Sequence, residues 1–450
     1  MSKSKVFAAL LLATIPFTGA QALSTKYTGS CSVLAKETGK YPDRKVSGFK
    51  NPATFKKMTT ANQLMADGQK AQAKAILMEI KNSSSDKFAL SIVNQYLARL
   101  AFEDNNFNQT VQYAKEVVQL DALPVKSILQ MKKQVAWAYL GKKDFKNAIS
   151  WMQQYFDQVI NPPVSDYKAL AQLYYQDNNF RSAICPAYIA LTKTTKKKDK
   201  ESLYKMLFGL HYNLKDMAGS ATILSEMINY YPDNKKYWEQ LFSIQYQRGK
   251  EADALAIYEL AYKKGLWTTA KEYKNLASMH SNSGAPMVAA KVLEEGFSKG
   301  VVPKNLENLK LLARFYDTAK ERDAAIKTYD QLSGLSNSGE FAYKIGLNYY
   351  EEEKYQQAIK YFQEAIRKGN LKSVDRGYSY LQMGAAQFYL GNESAAIAAL
   401  NKAKDIDKTR KNATSWIAFI RQKQDIREQL KKDAEALEAE VAAEANQSTD

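Results

Sequence analysis

Small and large apolar residues alternate along this chain at helical spacing, and the alternation repeats. Ile345 to Ala365 and Met383 to Ala403 carry small residues at matching offsets: Gly346, Ala358 and Ala365 in the first, Gly384, Ala396 and Ala403 in the second. A large apolar residue, Phe362 or Leu400, stands between the last two. Two antiparallel amphipathic helices that cross closely need Gly or Ala at the crossing, and larger residues then fill the seam with the next pair. The first small position recurs at Ala61, Ala98, Ala136, Ala171, Phe208, Phe242, Ala277, Ala313, Gly346 and Gly384. The second follows twelve residues later at Ala73, Thr110, Ala148, Ala183, Ser220, Ala254, Ala289, Ala325, Ala358 and Ala396. Phe208 and Phe242 break the small-residue rule, so a looser or tilted pair is expected there. Gly68, Asn105, Asn178, Gly249, Gly284 and Gly391 mark turns inside the units, and Pro124, Pro162-Pro163 and Pro232 mark helix ends.

Successive first positions lie 33 to 38 residues apart. The pattern resembles the tetratricopeptide repeat, whose unit is about 34 residues. The resemblance implies an all-α fold: a right-handed superhelical solenoid of about ten helical hairpins over residues 53–411. A single hairpin cannot bury its apolar face alone, so such an array needs caps. Residues 412–432 begin with Trp416, Ile417, Phe419 and Ile420 and then turn charged, as a capping helix would. Residues 433–450 form an acidic, Ala-rich tail, read as a fraying helix followed by irregular chain. Residues 23–52 lack the repeat and read as an irregular arm, basic through Lys36, Lys40, Arg44, Lys45 and Lys50.

Residues 1–22 read as a secretory signal peptide. Lys3 and Lys5 precede a mostly apolar run from Val6 to Phe17, and Ala20-Gln21-Ala22 supplies small residues for cleavage near Ala22. Twelve residues make only about 18 Å of helix, too short for a permanent anchor. Export from the cytoplasm is therefore expected.

The chain holds 64 Lys+Arg against 47 Asp+Glu, a formal charge of +17. Basic balance often signals nucleic acid, but export makes that partner unexpected. Acidic protein surfaces, or association with an anionic membrane surface, suit the charge better.

Catalytic chemistry is sparse. His211 and His280 occupy the offset held by Tyr139, Tyr174, Tyr316 and Tyr349 in other units, so both read as half-buried packing residues. No metal spacing, phosphate loop or nucleophile elbow occurs, so no metal, no cofactor and no enzymatic activity are expected. Cys31 and Cys185 are the two cysteines. In an oxidising compartment they are a candidate disulfide. About twenty residues separate Cys31 from the first hairpin, up to roughly 66 Å of extended chain, so the arm can fold along the array to reach Cys185.

Two sets of residues recur at offsets that resemble the groove of tetratricopeptide arrays. Lys133, Lys168, Lys205, Lys274 and Lys310 stand three before the small position, and Phe102, Tyr175, Tyr212, Tyr246, Tyr350 and Phe388 four after it. The expectation is a basic groove with aromatic steps for an extended acidic or aromatic-bearing peptide. The alternative is a solvated Lys face beside aromatics that pack neighbouring units.

Tyr231-Pro232-Asp233-Asn234-Lys235-Lys236-Tyr237-Trp238 and Glu259-Leu260-Ala261-Tyr262-Lys263-Lys264-Gly265-Leu266 add a narrower likeness. Together with the order of signal peptide, basic arm and hairpins, they resemble the periplasmic tetratricopeptide protein of some TonB energy-transduction systems. That resemblance implies a non-enzymatic periplasmic scaffold, with TonB, ExbB and ExbD as partners, serving uptake of iron chelates or haem. The alternative is an exported adaptor for cell-wall or outer-membrane assembly factors.

Overall fold

A computed structural model describes residues 34–447, with side-chain surroundings to 442. The signal segment 1–22, its cleavage near Ala22, and Cys31 lie outside the described residues.

The described chain is all-α. Its helices come in consecutive pairs: α1 (Pro52–Ala66) with α2 (Lys70–Ser83), α3 (Lys87–Glu103) with α4 (Phe107–Leu120), α5 (Val125–Gly141) with α6 (Phe145–Phe156), and α7 (Val164–Gln176) with α8 (Phe180–Lys193). Then come α9 (Lys197–Asn213) and α10 (Met217–Tyr230), α11 (Lys235–Gln247) and α12 (Glu251–Lys263), α13 (Ala270–Asn282) and α14 (Pro286–Ser298). The series closes with α15 (Leu306–Ala319) and α16 (Arg322–Leu335), α17 (Glu340–Glu351) and α18 (Tyr355–Lys368), α19 (Ser373–Tyr389) and α20 (Glu393–Lys404), and a single helix α21 (Asp407–Gln447). These helices fall in two compact units, Met1–Ile257 and Tyr258–Asp450, whose division passes through α12.

Within each unit the small residues sit where the helices cross. All ten second-helix positions, from Ala73 to Ala396, have zero exposure. Among the first-helix positions Ala61, Ala98, Ala136, Ala171, Ala277 and Ala313 are likewise fully enclosed. Gly346 shows why nothing larger fits: a Cβ there would stand 2.7 Å from the Phe362 ring. Phe208 and Phe242 are half-buried instead of enclosed, and their rings lie beside Tyr212 and Tyr246 on the same helices.

The turns share one geometry. Gly68, Asn105, Asn178, Gly249, Gly284 and Gly391 have positive φ, as their residue types suggest, but so do Lys143, Lys215, Lys320 and Glu353 at the same place in the other turns. In the first turn the N–H of Gln69 donates back to Leu64 O at 2.7 Å, closing the first helix through its left-handed residue. Chain geometry thus demands the left-handed state ten times, and the sequence supplies a suitable residue six times.

Over residues 34–51 the arm runs back along the first unit. Phe49 packs on Phe55 and Phe88, with centroids 5.7 and 5.3 Å apart. Arg44 reaches the loop after α4, where it binds Asp121 and the carbonyl of Leu123. Tyr41 OH accepts from the N–H of Ile160, and Lys36 O accepts from the N–H of Asn161, in the loop after α6. Glu37 accepts from Tyr167 OH at 2.6 Å and Lys193 Nζ at 2.5 Å. Burial pulls the Glu37 carboxyl upward, but the bonds from Lys193 and Tyr167 outweigh it and leave it below its ordinary value. From Phe49 to Glu37 the arm meets successively later hairpins, and its path leads toward α8, which carries Cys185. Cys185 is not a free thiol; its bridge to Cys31 stands as a proposal.

α21 begins as a cap. Ala413, Ile417 and Ile420 join Leu381, Ala396, Leu400 and Ala403 in one apolar cluster, with Trp416 and Phe388 against it. The helix then continues without a break past Lys432 into the acidic segment, as far as Gln447.

Candidate peptide-binding surface

The lysines expected in the groove bridge successive first helices. Lys133 on α5 pairs with Asp166 on α7 at 2.8 Å, the two side chains 17% and 4% exposed. Asp166 also accepts from Tyr155 OH. Lys168 on α7 donates to Ser202 on α9 at 2.9 Å. Lys274 on α13 pairs with Glu307 on α15 at 3.0 Å, and Lys310 on α15 with Glu340 on α17 at 3.4 Å. Lys205 departs from the pattern and pairs with Glu201 on its own helix at 2.8 Å. Four of the five thus have a carboxylate partner. The stripe is a ladder of ion pairs and polar contacts between hairpins, not a row of open cations. Each partly exposed pair contributes about 0–1 kcal/mol, and the ladder fixes register more than it stabilises.

The six aromatics divide by location. Phe102, Tyr175 and Tyr350 turn back on the first residue of their partner helices, packing edge-on to Phe107, Phe180 and Tyr355 at 5.9, 5.5 and 5.6 Å. They close hairpin turns. Tyr212 and Tyr246 are the open ones, 47% and 58% exposed. Phe388 joins Trp416 and Phe419 at the cap, with centroids 5.8 and 5.6 Å apart.

A cleft of about 530 Å3 opens across the first helices of three consecutive hairpins, α1, α3 and α5. Asn62, Gln95, Tyr96, Arg99, Glu103 and Gln134 line it. Tyr96 OH donates to Asn62 Oδ1 at 3.2 Å across adjacent hairpins. Lys70 and Arg99 hold Glu103 between them at 2.7 and 3.0 Å, and their bonds keep its carboxyl below the ordinary range. Side-chain amides beside a charged cluster match the alternating donors and acceptors of an extended backbone. The groove candidates read from the sequence include none of these residues. Asn62 and Arg99 stand one after, Tyr96 and Gln134 two before, and Gln95 three before the small positions Ala61, Ala98 and Ala136. The repeat offset was the signal that could have found them.

His211 is more enclosed than a half-buried packing residue. It has zero exposure, its Nε2 meets Tyr188 OH at 3.0 Å, and its Nδ1 meets Asp216 Oδ2 at 2.8 Å. Burial pushes the imidazole below its ordinary value, against the pull of Asp216. His280 is also buried and likewise lowered. Among the described residues, no group of three or more His, Cys, Asp or Glu is placed to hold a metal ion, and no helix is long and apolar enough to cross a membrane.

No protein-family model matches the chain, and no curated protein matches it in sequence. Solved structures with a partial likeness include MamA, 19% identical, covering 38% of this chain and 97% of its own, with a TM-score of 0.31. A MamA fragment from Desulfovibrio magneticus RS-1 is 14% identical over 39% of this chain and 95% of its own, with a TM-score of 0.30. YrrB, described as a TPR protein with an unusual peptide-binding site, is 16% identical over 43% of this chain and 96% of its own, with a TM-score of 0.32.

Proposed function

We propose that the chain is a non-catalytic scaffold that holds an extended segment of a protein partner along the face of its first helices. The cleft across α1, α3 and α5 carries this reading. It crosses three hairpins, so it suits a linear segment, and its amides and its Lys70–Glu103–Arg99 cluster suit a polar backbone. The binding surface moves away from the basic stripe, because four of those five lysines already bridge neighbouring hairpins.

The finer reading is an exported scaffold in the periplasm, accessory to TonB, ExbB and ExbD in uptake of iron chelates or haem. Its support is the signal-peptide pattern of residues 1–22 and the two local motifs beginning at Tyr231 and Glu259. Cross-linking in living, iron-starved cells, followed by purification of this chain, tests it. Recovery of TonB, ExbB or ExbD is the expected result. Recovery of cell-wall or outer-membrane assembly factors would keep the scaffold and discard the energy-transduction role.

A further inference from the structure

The second half of α21 leaves the hairpins behind. Beyond the cap, from Arg421 to Ala442, every residue but Gln424 is exposed, and the helix still carries large apolar side chains. Phe419, Ile426, Leu430, Leu437 and Val441 are 42, 51, 63, 61 and 58% exposed. Their spacing is seven, four, seven and four. At 100° per residue all five fall within an arc of about 60°. The spacing repeats every eleven residues, a period that stays on one face of a nearly straight helix. The seam is continuous: Phe419 rests on Phe388 and Trp416 at the cap, and the other four side chains are each more than half exposed.

The polar residues around the seam change sign along the helix. Residues 421–432 carry Arg421, Lys423, Arg427, Lys431 and Lys432 against Asp425 and Glu428, and residues 433–442 carry Asp433, Glu435, Glu438 and Glu440 with no base. The last four seam positions, Ile426, Leu430, Leu437 and Val441, also form a palindrome about a point between Asp433 and Ala434. Turned end for end, Ile426 falls on Val441 and Leu430 on Leu437. The same operation sets Arg427 against Glu440 and Lys432 against Glu435, and brings no two like charges together in these pairs. A parallel pair would instead face base with base and acid with acid, which is unfavourable.

We infer that α21 is a self-association element, pairing antiparallel with the α21 of a second copy over residues 421–446. The overlap is 26 residues of helix, roughly 39 Å and nearly four heptads' worth, long enough for a two-helix seam. It begins just after Ile420, the last buried residue of the cap, so the pairing adds to the fold without disturbing the cluster around Ile417 and Ile420. Arg427 now binds Glu393, and Lys432 and Lys431 make pairs on their own helix with Glu428 and Glu435. The Lys431 and Lys432 pairs are exposed and hold little, and Glu393 keeps its bond from Gln424 when Arg427 leaves, so exchanging them for pairs with a second copy costs little. A two-fold axis through the helix midpoint closes the assembly at two chains.

Sedimentation of the full chain over roughly two decades of concentration tests this. The expected result is a reversible dimer. Leu430→Glu with Leu437→Glu, both at exposed positions, should weaken self-association by about tenfold or more with circular dichroism unchanged. Lys432→Glu should weaken it, and adding Glu435→Lys should restore it. For orientation, Ala434→Cys should cross-link to its own copy with a short thiol-specific bismaleimide, whereas Ile426→Cys should not. One chain's mass at every concentration, a dimer indifferent to the Leu430 and Leu437 changes, or equal cross-linking from both cysteines would overturn the proposal.

Discussion

Arg44 holds both carboxylate oxygens of Asp121, Nη1 to Oδ1 at 2.7 Å and Nη2 to Oδ2 at 2.9 Å, across 77 residues of sequence. The same guanidinium donates to the carbonyls of Asp121 and Leu123. A planar fork on a carboxylate fixes direction as well as distance. The arm is thereby clamped where it passes the loop between the second and third hairpins. The two side chains are 35% and 55% exposed, so solvent screens the pair. Arg44→Ala should cost no more than about 1 kcal/mol of global stability. It should nevertheless release the arm. Hydrogen exchange reads this at Asn161, whose N–H donates to Lys36 O: its protection should fall while the helical amides of α5 keep theirs.

Gly346 faces the Phe362 ring with no room for a methyl group. Overpacking of this kind costs about 1–3 kcal/mol. Gly346→Ala should therefore lower the melting temperature measurably. Adding Phe362→Leu should recover part of the loss, because it removes the ring that the new Cβ would strike.

These positions show how much the sequence makes legible. A small residue at a crossing is a local requirement, so the ten hairpins can be read from spacing alone, and so can the apolar start of the cap at Trp416 and Ile417. The partners of the lysines cannot. Lys274 finds Glu307 only because consecutive first helices stack in one register, and that register is a property of packing. Asn62, Gln95 and Arg99 carry no signature beyond their offset, so spacing alone does not single out the cleft. The α21 seam was hidden by dividing the helix at 432, which cuts its palindrome almost at the centre. Glu37 and its partners Tyr167 and Lys193 likewise meet only after the arm has crossed three hairpins.

Six hairpin turns place a residue with a Cβ in the left-handed region, and in four of them it is Lys or Glu, not Asn. Glu353 has φ 60° and Lys215 has φ 57°, and both are exposed. The left-handed state costs an L-residue roughly 1 kcal/mol that glycine avoids. Glu353→Gly and Lys215→Gly should each stabilise the protein by about 0.5–1 kcal/mol, read as a higher denaturation midpoint with an unchanged slope. A fall in the midpoint would show that the side chains contribute more than the strain.

His211 sets a pH dependence. Its folded-state pKa lies below the ordinary 6.5, first because it is buried. An unfolded chain then binds more protons than the folded one as pH falls through 6.5 toward the folded value, so stability is lost over that window and held above it. His280 is shifted in the same direction and adds to the slope. Gly219 permits the arrangement, since a Cβ there would lie 2.3 Å from His211 Nδ1. Denaturation midpoints should decline below pH 6.5, and His211→Phe should flatten the decline. A midpoint that rises with acid across this window would contradict the assignment of a neutral, buried imidazole.

The most direct test of the scaffold is site-specific photo-cross-linking in cells. One photoreactive residue replaces Gln95 in the cleft, and another replaces Gln72 on the exposed side of α2. The account predicts that Gln95 captures one contiguous segment of a protein partner, that Gln72 does not, and that Arg99→Glu abolishes the capture. Equal capture from both positions, or capture from Gln95 that persists with Arg99→Glu, would contradict it.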